Sequence, residues 1–139
     1  MKTAEAMARV MRDMHADLGD YDALREALQR QFAAALKHDS ERLAELAGQV
    51  TDMVARLEER RRVRARVVDV LCGPHGRMNE LFARMPAPMA DRCRAMWREL
   101  ERKVGECKQL NVRNCLLITS QFEIMHRVMH GEEDTYAPA

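Results

Sequence analysis

Apolar side chains return every third or fourth residue through almost the whole chain, a spacing that places them along one side of a helix and on both faces of a strand. The first series is Met7, Met11, Met14, Leu18, Tyr21, Leu24, Leu28, Phe32 and Leu36. It keeps its phase across Gly19, whose cost of ~1 kcal/mol relative to Ala is too small to stop so long a repeat, and it predicts one helix over 3–37. His38-Asp39-Ser40 then breaks the run, and Asp39 or Ser40 can cap the first N–H groups of a second helix over 40–72. That helix is marked by Leu43, Leu46, Val50, Met53, Leu57, Val63, Val67, Val70 and Leu71.

Gly73-Pro74-His75-Gly76 ends the second helix, because glycine suits a helix C-terminus and proline cannot continue the ladder. Residues 77–85 are long enough for one short helix before Pro86 and Pro88. Pro88 suits the start of a third long helix, predicted over 88–130 with Gly131 as its stop. The short connection between the first two helices implies antiparallel neighbours. The predicted fold is therefore all-α: an antiparallel bundle of three long helices with a short extra helix before the third. Residues 1–131 read as one domain, and 132–139 as a polar, flexible tail.

Composition excludes several classes of function. Twenty-three basic and 22 acidic residues leave a formal net charge of +1, too little to draw the whole protein to nucleic acid or to an anionic membrane. No apolar run approaches the roughly 20 residues that span a bilayer, and the polar start around Lys2 to Glu5 lacks the core of a signal peptide. Cys72, Cys93, Cys107 and Cys115 form no Cys-x-x-Cys pair, so free thiols and a cytoplasmic location are expected.

The third helix is the informative one. Leu110, Asn114, Leu117, Gln121, Ile124 and Val128 share a phase that extends back through Val104, Leu100, Met96 and Cys93, and this stripe is expected to face the bundle. A second stripe, Cys115, Ile118, Phe122, Met125 and Met129, lies about 100° around the helix. The two together make a wide apolar arc. Either the arc is covered by two partner helices, or its second stripe is a groove for another chain, for which unbranched Met125 and Met129 are suited because they adapt their packing. Full burial of five such side chains would contribute roughly 7 to 15 kcal/mol gross, before the costs of association.

Trp97-Arg98-Glu99-Leu100, then Glu106-Cys107-Lys108-Gln109-Leu110-Asn111-Val112-Arg113-Asn114, Leu117-Ile118, Gln121 and Thr135-Tyr136 resemble the C-terminal half of FlgN-type flagellar export chaperones. The order of the remaining elements, with Asp39 in the first turn, extends the resemblance to nearly the whole chain. It implies a cytoplasmic chaperone, without cofactor, that binds the disordered C-terminal segments of the hook-associated proteins FlgK and FlgL and delivers them to the flagellar export gate. It also implies client binding on the third helix, at Leu110, Asn111, Asn114, Leu117, Ile118, Gln121, Phe122, Met125 and Met129, and docking at the gate through Tyr136. Cys115 stands where the family often has Gly, and Ala137-Pro138-Ala139 replaces its Gly-rich ending. For Asn111 and Asn114 a second reading stays open, in which buried amides fix helix register across the bundle.

Other chemistry finds little support. Glu123-x-x-His126, with His130 one turn further, has the spacing of a bundle metal site, but the second Glu-x-x-His and the two inward carboxylates such a site needs cannot be placed on the facing helices, so no metal is assigned. Arg60, Arg61, Arg62, Arg64 and Arg66 adjoin Glu58 and Glu59 without interleaved aromatics, and read as a solvated face. No phosphate loop or nucleophile motif is present, so no enzyme is expected. Two alternatives to the chaperone remain: a helical scaffold or homo-oligomer that satisfies both stripes internally, and, more remotely, a nucleic-acid-binding protein using the arginines.

Overall fold

A computed structural model describes the backbone of residues 2–136 and the side chains of residues 2–131. The protein is all-helical, with α1 (Thr3–Leu36), α2 (Ser40–Cys72), α3 (Met78–Ala83) and α4 (Ala87–Tyr136), and no strand occurs among the described residues. The predicted starts and the continuity of α1 through Gly19 agree with the sequence pattern. One end does not: α4 continues through Gly131 to Tyr136, past the stop expected at Gly131, and residues 137–139 of the expected tail lie outside the described residues. Only Gly73 among the described glycines has a positive φ, so Gly131 keeps helical geometry and supplies no left-handed cap. A helical glycine costs only ~1 kcal/mol, which one position in a 50-residue helix tolerates.

Local chemistry makes both sharp turns. His38 takes a left-handed φ of 55°, and the Asp39 carboxylate accepts the Arg42 backbone N–H at 3.1 Å, capping α2. At the far end of α2, Gly73 adopts φ 89°. Gly76 packs so closely on α2 that a Cβ there would fall 2.7 Å from the Cβ of Cys72. This close turn delivers α3, whose Leu81 and Phe82 are fully buried and plug the open end of the long helices.

The helix α1 is central. Ion pairs and hydrogen bonds along α1 and α4 run in the same order, from Arg25–Glu106 at 2.7 Å, through the Asn114 side chain donating to the Leu28 carbonyl at 2.7 Å, to Gln121 donating to the Ala35 carbonyl at 2.9 Å. Along α1 and α2 the order reverses: Met7 clusters with Val67 and Val68, and Leu24 and Leu28 cluster with Leu57. Among the described residues no Cα of α2 comes within 8 Å of a Cα of α4. Their backbones therefore flank α1 at a distance from each other, and they meet through side chains, among them Arg64 with its guanidinium 5.9 Å from the Trp97 ring centroid.

The core has two halves. Met7, Val10, Met14, Val67, Val68, Leu81, Phe82 and Cys93 fill the α3 end, and Leu24, Leu28, Leu57 and Cys107 fill the other. Between them lies a polar layer. Asp17, with no solvent exposure, accepts hydrogen bonds from Arg60 at 3.0 Å and from buried Arg64, and Arg60 also reaches Asp20 at 2.5 Å. Two of the five arginines read as a solvated face thus point inward, because Arg60 and Arg64 continue the three-four phase of Leu57 and Val67. Arg61 and Arg62 pair with Glu58 on the outside, and Arg66 reaches Glu59 at 4.0 Å.

Candidate functional site

The residues predicted to bind a partner fall into three groups once α4 is placed beside α1. Asn114 belongs to the interior: it is fully buried, donates to the Leu28 carbonyl and to the Gln31 side chain at 2.9 Å, and accepts from Arg113 at 3.2 Å. These bonds fix the register of α4 on α1, the structural role for a buried amide. Gln121 does the same at the last level where the two helices touch. Both amides are engaged by α1, outside the exposed surface.

Leu110, Leu117 and Ile118 form the second group, half-buried along the edge of the α1–α4 seam, with exposed Asn111 accepting a weak Cys115 thiol contact at 3.9 Å. Arg113 stacks its guanidinium 3.7 Å from the Phe32 ring centroid and donates to Gln29, which closes the opposite edge. Coverage of α4 weakens here turn by turn.

The third group is uncovered. Phe122 is 70% exposed, Met125 60% and Met129 61%. Ile124 and Val128, which belong to the stripe expected to face the bundle, are equally open at 54% and 60%. The cause is length, since α1 ends at Leu36, beside Gln121, and α4 runs on to Tyr136. The overhang from Phe122 to Tyr136 extends about 22 Å at the helical rise. The predicted division between a bundle-facing and an open stripe separates buried Asn114 from exposed Cys115, blurs at Leu117 and Ile118, both half-buried, and is lost beyond Gln121, where among the described residues no other helix lies alongside α4. Of the large apolar side chains that remain exposed, most lie on α4 between Val112 and Met129, a concentration that marks an interaction surface more than scattered exposure does.

His126 and His130 meet edge to face with centroids 4.2 Å apart, and among the described residues no group of three or more His, Cys, Asp or Glu side chains is placed to hold a metal. Burial raises the thiol pKa of Cys107, and the neighbouring Glu106 carboxylate raises it further, the opposite of an activated nucleophile. Tyr21 is likewise raised by burial and then by Asp17. The side chain of Tyr136 lies outside the described residues.

Sequence reasoning missed Asp17 and its two arginines. The signal was present: Asp17 occupies the core phase of α1 between Met14 and Leu24, and a carboxylate in that phase requires a buried cation opposite. Against known proteins, the family model described as FlgN protein matches residues 2–130. No curated protein and no solved structure matches the chain.

Proposed function

The chain belongs to the FlgN family of flagellar chaperones, and from that premise we propose that it captures the disordered C-terminal segments of FlgK and FlgL in the cytoplasm and delivers them to the export gate. In this reading α1, with α2 antiparallel to it and α4 parallel to it, forms the support that holds the end of α4 clear. The client covers Phe122, Met125 and Met129, with Leu117 and Ile118 at the edge of the contact and Leu110 and Asn111 continuing it toward the bundle. The observation that carries the reading is the overhang: α4 runs on past Gln121, its last hydrogen-bonded level on α1, and exposes the apolar side chains of Phe122, Ile124, Met125, Val128 and Met129 along about 12 Å of helix. An apolar helix face of this kind is the form in which one chain recognises another, and methionines let it accept two different clients. The chaperone itself carries no catalytic step in this scheme.

Titration with FlgK and FlgL C-terminal segments tests the proposal. Phe122→Asp is expected to weaken binding at least about tenfold, the effect of placing a charge in an apolar contact, while helix content by circular dichroism stays at the wild-type level. Loss of helix in this variant, or unchanged affinity, contradicts the assignment. Tyr136→Ala is expected to leave client affinity unchanged and to lower export of FlgK and FlgL in cells; an equal fall in binding would remove the proposed separation between client capture and gate docking.

A further inference from the structure

The backbones of α2 and α4 stay apart as both lean on α1, and beside the contact of Arg64 with Trp97, 5.9 Å from guanidinium to ring centroid, a groove of about 490 Å³ runs between them. Its floor is Tyr21 and Leu24 of α1, and its walls are Val54 and Leu57 on α2 and Leu100 and Val104 on α4. A smaller space of about 270 Å³ shares Tyr21, Leu24, Val54 and Val104 and carries the groove on to Val50 and Asn111. Leu24, Leu57 and Leu100 are buried, but Val54 is 47% exposed and Tyr21 and Val104 only half-buried, so the walls stand open.

The groove and the overhang share one face of α4. From Trp97 the positions Leu100, Val104, Lys108, Asn111, Cys115, Ile118, Phe122, Met125 and Met129 follow at steps of three and four without a break. A rod laid on the overhang stripe therefore needs no bend to pass down between α2 and α4, along about 48 Å of helix. Gly105 sits on the α4 lip with no atom within 4 Å of where its Cβ would be, which lets a backbone approach closely. The charges on the two lips differ. On α2, Arg61 is held by Glu58 through two hydrogen bonds, and the same contact keeps Glu58 ionised by lowering its pKa to about 2. On α4, Glu101 and Lys108 line the groove without an ion-pair partner among the described residues, two helical turns apart.

We propose that the groove between α2 and α4 is the inner half of the partner site, occupied by an amphipathic helix of the bound client that packs as a fourth helix over Tyr21 and Leu24. The occupant has an apolar stripe at three-four spacing, and on one flank a basic residue level with Glu101 and an acidic residue level with Lys108. The overhang captures the segment and the groove winds it into helix, because backbone groups entering a narrow apolar cleft must satisfy their own hydrogen bonds. This inference rests on the client-binding reading above and adds a second contact region to it.

Two variants placed on opposite walls test it: Gly105→Arg on α4, at an open and exposed position, and Val54→Glu on α2. Both are measured by titration with the FlgK and FlgL C-terminal segments beside Phe122→Asp, with thermal melting to verify the fold. The expected result is that each groove variant melts as wild type and binds at least about tenfold more weakly, and that the helix signal gained when the wild type binds its client is reduced. Wild-type affinity in both groove variants, with Phe122→Asp still defective, overturns the groove and leaves the overhang reading in place. Wild-type affinity in all three overturns both. If sedimentation instead finds the free protein dimeric, and the groove variants make it monomeric without changing client affinity, the occupant is a second copy and the proposal falls.

Discussion

The two halves of α4 carry the same apolar rhythm and meet opposite fates. From Cys93 to Gln121 the repeat is locked onto α1, and Cys93, Leu100, Cys107 and Asn114 are shielded from water. From Phe122 to Met129 side chains of equal hydrophobicity stand in solvent. Nothing in the local sequence separates these halves. The difference is set elsewhere, by where α1 and α2 turn at Lys37 to Asp39, so the length of one hairpin decides how much of another helix becomes a binding surface.

If that comparison is right, equivalent truncations in the two halves diverge sharply. Leu100→Ala is expected to cost about 2–5 kcal/mol in urea unfolding, as a buried leucine does, whereas Phe122→Ala should stay within about 0.5 kcal/mol of wild type. A large loss at Phe122 would mean that the overhang is packed in solution and would erase the distinction. At the boundary between the halves, Asn114→Ala removes a buried amide that bridges α4 to α1, and a loss of about 1–3 kcal/mol is expected. An unchanged midpoint would deny that this bond holds the register.

Thiol chemistry sharpens the same contrast with a smaller perturbation. Cys115 is exposed, whereas Cys93 and Cys107 are buried and their thiol pKa values are pushed up by that burial. Alkylation near pH 8, followed by mass spectrometry, should label Cys115 first and Cys93 and Cys107 only under conditions that unfold the bundle. Labelling of Cys107 as fast as Cys115 would show that the seam opens readily.

Much of this was legible in the sequence, for a physical reason. Helix periodicity, the Asp39 cap and the Gly73-Pro74 stop are local signals, and each element they define is present. What failed depended on distant parts of the chain. Gly131 resembles a stop, yet nothing in the sequence near it reports that its φ stays helical. Arg60 and Arg64 look like members of an exterior run until Asp17, more than forty residues away, is seen to share their level. The sequence explains an open stripe by the width of the apolar arc on the third helix, whereas in the structure its cause is the length of that helix beyond α1. Both causes name Phe122, Met125 and Met129, but only the second also exposes Ile124 and Val128.

Amide hydrogen exchange read along α4, with and without the FlgK C-terminal segment, bears most directly on the claim that the overhang is an uncovered client site. In the free protein, amides from about Cys93 to Asn114 should exchange slowly and those beyond Phe122 quickly, since a helix with no packed face opens at little cost. Addition of the FlgK segment should slow exchange between Ile118 and Met129. An overhang that is already protected in the free monomer and unchanged by the segment would contradict it.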